Sequence, residues 1–372
     1  MKKLFIISGN ADTIVWFRLE MLKEFIDRGY KVFALAPECS SDSKKILDEN
    51  GIDLIKISLQ RKSFNLINLF IGIFEIRGFI KNLKPDIVFT YMHKSIIASS
   101  FAVKLSNQDL KLFSIVSGLG HLFERKQLKY RFFSFFSKLL LKLSFRYNQK
   151  VFFQNPDDKN FFEDLNIISF DKSKLVNGSG VNTEDFCYSE IPHQTVFMTM
   201  ARLLESKGLR EFANAAKIVK KKFPASRFII CGYPDFHSDS ISEDEIKNLW
   251  EPEYGIEYYG FASDPIAIYN ITSVFVLLSY REGVPRTVLE AMSMGRPIIT
   301  TDAPGCRETV VNDYNGYLVP SKSINKPAEA MINLMNRDKQ IEMGKKSREI
   351  AKKKFDVKKI NSIILDEVFR GC

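Results

Sequence analysis

Two glutamates, Glu282 and Glu290, flank the start of a predicted helix in the second half of the chain. The apolar run Val274–Ser279 predicts a buried strand, and the segment after it opens a loop at the strand's carboxyl end. Pro285 suits the first turn of a helix, so Glu282 precedes the helix and Glu290 falls in its second turn. Free N–H groups at a helix start attract phosphate, and nearby carboxylates can accept hydrogen bonds from sugar and ribose hydroxyls.

The same glutamates also fit a simpler interpretation, in which one is a helix-entry acid and the other lies on a solvated face. The buried strand before them, together with glycine, proline and small residues around them, favours a ligand site. The residues expected to line that site beside the two glutamates are Gly283, Val284, Arg286 and Thr287.

A second motif follows the strand Val196–Ala201. Arg202 and Lys207 stand in the loop after it, where a planar guanidinium and a point charge could together hold a diphosphate. An arginine and a lysine in a loop are usually solvated charges. Because the carboxylate segment is predicted at the same sheet edge, the two motifs together indicate a nucleotide-diphosphate site.

The elements that must position these motifs form an α/β pattern. Short, continuous apolar runs alternate with helix-length segments, as in parallel sheets covered on both faces. The predicted strands are Leu4–Ser8, Lys31–Ala36, Leu54–Ser58, Asp86–Tyr91, Leu112–Ser117, Val151–Gln154, Val196–Ala201, Phe228–Gly232, Val274–Ser279, Pro297–Thr300 and Tyr317–Val319. Two such series predict two Rossmann-like, doubly wound domains, each with a possible ligand crevice at the carboxyl ends of its strands.

Small and turn-forming residues from Asn177 to Asn182 place the domain junction. We therefore expect a first domain over residues 1–180 and a second over 181–354. Residues 355–372 carry helical spacing at Ile360, Ile364 and Val368, and this segment is expected to pack back on the first domain.

Composition excludes several classes of protein. Among 372 residues, 45% are hydrophobic and 26% charged, which excludes a mainly disordered or collagen-like chain. No apolar run reaches the roughly 18 uncharged residues of a membrane-spanning helix. Five scattered cysteines contain no CxxC pair and indicate a reducing compartment. The net charge of +10 implies an anionic partner, but residues 124–150 hold eight Lys/Arg and one acid, so an extended nucleic-acid track is not expected.

This basic segment has an amphipathic helical pattern. At 100° per residue, Arg131, Lys138, Lys142 and Arg146 form a stripe beside a Phe/Leu stripe that runs from Phe132 to Leu143. Such a pattern is typical of a helix lying in a membrane interface. An ordinary surface helix whose Phe/Leu face packs on the first domain fits the pattern equally well.

In the first domain, polar residues follow two predicted strands. His93 and Lys94 come after Asp86–Tyr91, and could position an acceptor or its diphosphate. Ser117 and Gly118 end the next strand, where glycine permits a close backbone approach. His121 and Arg18 are weaker candidates for the same acceptor site.

The motifs at Arg202/Lys207, Glu282/Glu290 and Gly305…Glu308…Gly316, with the junction at residues 177–186, resemble the retaining glycosyltransferases of family 4. The resemblance covers nearly the whole chain and is most specific over residues 196–320. Within that family the chain resembles bacterial enzymes that extend undecaprenyl-diphosphate-linked oligosaccharides, as in O-antigen and other surface polysaccharides.

The resemblance implies a GT-B fold, with two Rossmann-like domains facing each other across a cleft, the acceptor on the first and a UDP-sugar mainly on the second. It implies that Arg202 and Lys207 bind the donor diphosphate, Glu290 the ribose and Glu282 the transferred sugar. It also implies retention of anomeric configuration, no divalent metal, and a cytoplasmic enzyme on the inner face of the plasma membrane. Many members have a histidine where this chain has Ser117, which leaves any fixed histidine role open, with His121 close enough to substitute.

Other interpretations remain open from the sequence. A UDP-sugar 2-epimerase shares the architecture, and a non-catalytic, membrane-bound nucleotide-sugar sensor would share the donor site. Asp157 and Asp158 could suggest a metal-binding acidic pair, but adjacent aspartates also suit a helix N-terminus, which is the interpretation we favour.

Overall fold

The structure, a computed structural model, describes residues 1–59, 66–119, 128–235 and 239–370, with residues 128–134 described by their backbone alone. It consists of two units. The first comprises Met1–Ser179 and the C-terminal residues from Ile360, and the second comprises Gly180–Lys359. The division falls beside the junction predicted at residue 180.

The first unit is built on a seven-stranded parallel sheet. Its strand order, β3-β2-β1-β4-β5-β6-β7, is that of a doubly wound fold. The strands are β1 (Lys3–Ile7), β2 (Lys31–Ala36), β3 (Asp53–Lys56), β4 (Ile87–Tyr91), β5 (Lys111–Val116), β6 (Lys150–Phe153) and β7 (Ser173–Leu175).

Helices connect these strands. They are α1 (Asp12–Asp27), α2 (Ser41–Glu49), α3 (Leu66–Leu83), α4 (His93–Ser106), α5 (Leu128–Phe145) and α6 (Pro156–Asp164). Successive side chains of a strand point to opposite faces, so each sheet face acquires its own core. In β1, Leu4 and Ile6 pack with α1, whereas Phe5 and Ile7 pack with α3 and α4.

The second unit has a six-stranded parallel sheet of order β10-β9-β8-β11-β12-β13. The strands are β8 (Val196–Met200), β9 (Arg227–Cys231), β10 (Ile256–Gly260), β11 (Val274–Leu277), β12 (Ile298–Thr301) and β13 (Gly316–Val319). The helices are α7 (Leu209–Lys222), α8 (Glu243–Glu245), α9 (Glu251–Tyr254), α10 (Pro265–Asn270), α11 (Arg286–Ser293), α12 (Asn325–Asn333) and α13 (Arg337–Ile350).

The last helix, α14 (Val357–Phe369), carries the C-terminal residues that belong to the first unit. Ile360, Ile364 and Val368 are buried in the same cluster as Phe25 of α1. The helical spacing in this segment therefore corresponds to a buried face in the core of the first unit.

Eleven of these strands were predicted from the sequence, and β7 and β10 were missed. Both are edge strands of their sheets. β7 reads Ser-Lys-Leu, and β10 contains only one fully buried residue, Ile256. An edge strand is covered by fewer neighbours, so it needs no continuous apolar run and gives a weaker signal.

Candidate active site

In the second sheet, the direction in which successive strands are added reverses between β8 and β11. These strands are neighbours, and the remaining strands are added outward from them on either side. In open parallel sheets, ligands bind at the carboxyl ends of strands at such a switch point. Arg202 and Lys207 follow β8, and Glu282 follows β11, so the fold brings the two predicted motifs to this position.

Lys207 and Glu282 form an ion pair across the switch point. Lys207 Nζ lies 2.5 Å from Glu282 Oε1, and the two side chains are only 14% and 17% exposed. Gly208 follows at φ +68°, where a Cβ would lie 2.2 Å from the carbonyl oxygen of Leu278. Glycine is therefore required for the β8 loop to approach β11 this closely.

The loop that carries Glu282 is held by its own backbone. Glu282 N–H donates to the carbonyl of Pro304 at 3.0 Å. A Cβ on Gly305, at φ +78°, would lie 2.3 Å from the carbonyl oxygen of Glu282 and 2.2 Å from that of Gly283. The buried Val284 anchors the other end of the loop. Gly305, which belongs to the third motif, thus fixes the position of the Glu282 backbone.

Helix α11 begins at Arg286, so Pro285 is the residue before the helix and lies outside the first turn predicted for it. Its φ of −72° and ψ of 114° are extended, and the helical bonds start from its carbonyl group. The helix thus starts one residue later than predicted, and Glu290 remains in its second turn. The N-terminus of α11 therefore lies directly after the Glu282 loop.

Glu290 is buried inside this helix start. Arg286 Nε donates to Glu290 Oε1 at 2.8 Å, and the Tyr269 hydroxyl lies 3.0 Å from Glu290 Oε2. The same hydroxyl is 2.9 Å from the carbonyl oxygen of Thr287. Burial raises the pKa of Glu290, which Arg286 and Tyr269 partly offset, and burial also raises the pKa of Tyr269. The carboxylate is thus oriented by two side chains.

Arg202, the remaining predicted diphosphate ligand, pairs with Asp235 in the loop after β9. Asp235 was not predicted as a site residue, and its position three residues after the predicted strand Phe228–Gly232 does not by itself pair it with Arg202. A donor diphosphate that binds Arg202 competes with this carboxylate for the guanidinium.

Tyr280 and Glu211 were also missed. The Tyr280 hydroxyl donates to Glu211 Oε1 at 2.7 Å, and Tyr280 N–H donates to the carbonyl of Ser206 at 2.9 Å. Burial is the main cause of the raised pKa of Tyr280. Nothing in the local sequence pairs these two residues, which come together only because β8 and β11 are neighbours.

The first unit has an equivalent switch point between β1 and β4. Arg18 of α1 is 3% exposed, and its guanidinium lies over the Tyr91 ring at 5.6 Å. The Tyr91 hydroxyl lies 2.7 Å from the Thr13 hydroxyl, and burial raises the pKa of Tyr91 to about 12. Arg18 is therefore buried against Tyr91, the last residue of β4.

His93 and Lys94 start α4 at this switch point. Met92 precedes them at φ +68°, an uncommon backbone conformation for a residue with a side chain. Burial lowers the pKa of His93 to about 4 and also lowers the pKa of Lys94. His93 is therefore neutral at pH 7, which suits hydrogen bonding rather than charge pairing.

The other acceptor candidates follow β5. Ser117 is exposed, and Gly118 adopts φ +142°, a conformation that favours glycine. His121 lies outside the described residues. The structure thus places three of the predicted acceptor residues, His93, Lys94 and Ser117, at the starts of loops or helices on the carboxyl edge of the first sheet.

Helix α5 leaves part of its Phe/Leu stripe exposed. Among the described side chains of this helix, Leu141 and Phe145 are fully buried in a hydrophobic cluster. Phe136 and Leu139, within that stripe, are 46% and 44% exposed. The surface-helix alternative, in which the Phe/Leu face packs on the first unit, therefore does not hold for these two residues.

The basic stripe of α5 is described in part. Lys142 and Arg146 are exposed, and Lys138 is half-buried with its ammonium 5.5 Å from the Phe161 ring. The Arg131 side chain lies outside the described residues. No helix among the described residues is long and apolar enough to cross a membrane.

Asp157 and Asp158 lie in the first turn of α6, as the helix interpretation predicts. Asn155 caps this helix by accepting a hydrogen bond from Asp158 N–H at 2.8 Å, and its Nδ2 donates to Asp158 Oδ2 at 2.9 Å. Within the described ranges, no cluster of three His, Cys, Asp or Glu side chains is arranged to hold a metal ion.

Two family models divide the chain between them. Residues 183–354 match the group 1 glycosyl transferases, and residues 5–155 match the glycosyl transferase 4-like domain. The chain is a glycosyltransferase that combines these two family domains, and it has the two parallel-sheet, Rossmann-like domains of the GT-B fold.

Relatives of known activity are similar over most of their length. N,N'-diacetylbacillosaminyl-diphospho-undecaprenol alpha-1,3-N-acetylgalactosaminyltransferase of Campylobacter jejuni is 27% identical, over 90% of this chain and 89% of the relative. The Escherichia coli UDP-Gal:alpha-D-GlcNAc-diphosphoundecaprenol alpha-1,3-galactosyltransferase is 24% identical, over 81% of this chain and 82% of the relative. The resemblance to enzymes acting on undecaprenyl-diphosphate-linked sugars is confirmed.

Solved structures share the fold. A glycosyltransferase from Rickettsia africae superposes with a TM-score of 0.77 at 18% identity, with all of both chains covered. Anabaena HepE, crystallised with UDP-glucose, superposes with a TM-score of 0.78 at 18% identity, with 99% of each chain covered. At 18% identity, these superpositions establish a shared fold alone.

Proposed function

We propose that this glycosyltransferase moves a hexose or N-acetylhexosamine from a UDP-sugar to a lipid-diphosphate-linked saccharide, with retention of anomeric configuration. The observation that carries the proposal is the Lys207–Glu282 ion pair at the switch point of the second sheet, beside the buried Glu290. These three residues supply a cation for a diphosphate and two carboxylates for hydroxyl groups. That combination matches a nucleotide-linked sugar.

The positive groups of the site stabilise the leaving diphosphate. Negative charge grows on the diphosphate oxygen as its bond to the anomeric carbon breaks. Lys207 and Arg202 supply cations, and Arg202 exchanges Asp235 for the diphosphate. The N-terminus of α11, at Gly283–Thr287, adds backbone N–H groups and a partial positive charge. Because these groups can do the work of a divalent ion, we propose that none is required.

The carboxylates orient the donor. Glu290, held by Arg286 and Tyr269, accepts hydrogen bonds from the ribose. Glu282 accepts hydrogen bonds from the transferred sugar, and its ion pair with Lys207 links sugar recognition to diphosphate recognition. The acceptor hydroxyl attacks the anomeric carbon from the face that the diphosphate leaves. A diphosphate oxygen takes the hydroxyl proton, so the new glycosidic bond forms as the old one breaks.

The first unit supplies the acceptor side of the proposal. His93, Lys94, Ser117 and Gly118 lie at the carboxyl edge of its sheet, and His121, four positions after Ser117 in the sequence, lies outside the described residues. The Campylobacter and Escherichia coli relatives are named for diphospho-undecaprenol-linked acceptors, and the Escherichia coli relative is named for a UDP-linked donor. We therefore place the enzyme in surface-glycan assembly, on the cytoplasmic face of the membrane that carries such lipids.

Two other functions fit the same architecture. A UDP-sugar 2-epimerase would alter the nucleotide sugar without an acceptor. A nucleotide-sugar sensor would bind the donor through the same Lys207, Glu282 and Glu290 but without turnover. Sugar transfer to an acceptor distinguishes the transferase from the epimerase and from the sensor.

The experiment is a screen of UDP-sugars against undecaprenyl-diphosphate-linked saccharides, in buffer containing a metal chelator, with products identified by mass spectrometry. The proposal predicts an acceptor heavier by one hexose or N-acetylhexosamine, and no altered nucleotide sugar when the acceptor is omitted. An epimerised donor without acceptor, or donor binding with no product, would replace the proposal by one of its alternatives.

A further inference from the structure

Tyr280 connects the two loops that carry Lys207 and Glu282. It lies two residues before Glu282, in the loop after β11. Its backbone N–H donates to the carbonyl of Ser206, the residue before Lys207, at 2.9 Å. Its hydroxyl donates to Glu211 Oε1, in the helix after Lys207, at 2.7 Å. One residue of the Glu282 loop is therefore bonded to the chain on both sides of Lys207.

Glu211 offers the Tyr280 hydroxyl an acceptor on a packed element. It lies in the first turn of α7. Leu209 and Phe212, its neighbours in this turn, are buried in the core of the second unit. Because side chains in such a core are close-packed, the start of α7 has little freedom to move. The bond to Glu211 therefore ties the Glu282 loop to the core rather than to another loop.

Stability alone does not account for the Glu211 carboxylate. Its second oxygen, Oε2, is buried and has no hydrogen-bond partner among the residues that the structure describes. Arg210, beside it in the sequence, forms ion pairs with Glu205 and Glu245. A buried carboxylate oxygen without a partner lowers stability, whereas an apolar pair of the same shape could replace both polar groups with little loss.

The ring and the hydroxyl of Tyr280 are held in this arrangement. Burial is the main cause of the raised pKa of Tyr280, so the hydroxyl remains protonated and can donate. Hydrogen bonds to carboxylates are shorter and stronger than those between neutral groups. The Lys322 ammonium, in the loop after β13, lies 5.0 Å from the centre of the ring and attracts its face. Tyr280 thus has contacts with the loops after β8 and β13 and with α7.

We propose that Tyr280 is a positioning residue of the transfer reaction, and that its bond to Glu211 keeps Glu282 at the separation from Lys207 that the bound donor requires. This inference rests on the proposed function, in which Glu282 contacts the transferred sugar and Lys207 the diphosphate. Tyr280 acts through these two residues. Because a displacement of about 1 Å in a reacting site can lower the rate about 100-fold, losing the bond should slow the chemical step. UDP lacks the transferred sugar, so its binding should change little.

The first test removes the hydroxyl and keeps the ring. For Tyr280→Phe we expect kcat to fall at least tenfold, while the Kd for UDP, measured by calorimetry, stays within about threefold of the native value. Glu211→Gln keeps an oxygen that accepts from the hydroxyl, so it should retain more activity than Glu211→Leu. The matched control is Tyr258→Phe, which removes a hydroxyl that donates to Glu243 Oε1 at 3.1 Å in the same unit. The control should keep the native kcat.

The double variant Tyr280→Phe/Glu211→Leu separates positioning from stability. In Tyr280→Phe alone the Glu211 carboxylate loses its hydroxyl partner, so denaturant unfolding should show a lower stability. Replacing the carboxylate by leucine as well should recover most of that loss. Positioning predicts that kcat of the double variant stays at least tenfold low although its stability has returned. A return of kcat together with stability would assign the pair a structural role alone and overturn the proposal.

Hydrogen–deuterium exchange, resolved to single amides by mass spectrometry, tests the positioning without turnover. The amides of Tyr280 and Glu282 donate to the carbonyls of Ser206 and Pro304, so both should exchange slowly in the native protein. We expect exchange at these amides to be at least tenfold faster in Tyr280→Phe and in the double variant, and native in Tyr258→Phe. Native exchange in all of these variants would overturn the proposal. If the native protein transfers no sugar, the proposed function fails, and the exchange rates still decide whether Tyr280 holds the Glu282 loop.

Discussion

The Lys207 ammonium and the Glu282 carboxylate, 75 positions apart in the sequence, lie 2.5 Å from each other. Each stands in the loop after one of the two strands at the switch point. Their charges compensate each other before any donor is present, and neither side chain is more than 17% exposed. The pair therefore holds the cation proposed to bind the diphosphate and the carboxylate proposed to bind the sugar in a preformed arrangement.

We expect Lys207→Ala and Glu282→Gln each to lower kcat/KM at least about 100-fold, because each removes a group that acts on developing charge or on the reacting sugar. Since the two residues are in contact, the double variant should lose far less than the product of the single losses. Steady-state kinetics of all four proteins measure this coupling. Fully multiplicative losses would show that the two residues act independently.

Glu290→Gln should mainly weaken donor binding. A ribose contact is made equally in the ground state and the transition state, so KM for the donor should rise roughly tenfold while kcat changes little. Arg286 and Tyr269 can remain in place around the amide, which limits structural damage. The measurement is donor-dependent initial rates. A loss confined to kcat would instead assign Glu290 to the chemical step.

Gly305→Ala should inactivate the enzyme through the Glu282 loop. The added Cβ would lie within 2.3 Å of two carbonyl oxygens, so the loop must move. Gly260→Ala is the control, because Gly260 has φ +76° but no atom within 4 Å of the position that an added methyl group would take. We expect transfer to fall at least tenfold for Gly305→Ala alone, with both variants folded by circular dichroism. Equal activities would show that Gly305 does not control the Glu282 loop.

The neutral His93 should make stability depend on pH. Burial lowers its folded pKa to about 4, below the 6.5 of an exposed histidine, so the unfolded chain binds a proton that the folded chain does not. Above pH 6.5 the imidazole is neutral in both the folded and the unfolded chain, so it does not change the free energy of unfolding. As pH drops from 6.5 toward 4, protonation of the unfolded chain lowers the free energy of unfolding by about 1–3 kcal/mol. Denaturant unfolding of the native protein and of His93→Gln at pH 7.5 and 4.5 isolates this loss. An identical pH dependence in both would contradict it.

Most of the fold could be predicted from the sequence because buried parallel strands have continuous apolar runs. The prediction failed at β7 and β10, which are edge strands with fewer apolar residues. The buried face of α5 was left open by the sequence, because a helix with apolar residues on two sides does not reveal which side meets the sheet. Leu141 enters the core while Phe136 and Leu139 are exposed.

Residues of the candidate site could be predicted where a suitable residue type and its place after a strand or in a helix are both visible within one segment of sequence. Arg202, Lys207 and Glu282 follow predicted strands, and Glu290 lies in the second turn of a predicted helix. The supporting residues were not predictable in this way. Asp235 reaches Arg202 from β9, Tyr269 reaches Glu290 from α10, and Glu211 reaches Tyr280 from α7. Such pairings depend on tertiary contacts between distant segments.

The anomeric configuration of the transferred sugar, read from the proton NMR coupling constant at the new linkage, decides whether the donor site works as proposed. With a UDP-sugar of α configuration as donor, we expect an α-linked product on the lipid-diphosphate-linked acceptor, formed in the presence of a metal chelator. A β-linked product would contradict same-face attack directed by Lys207 and Glu282.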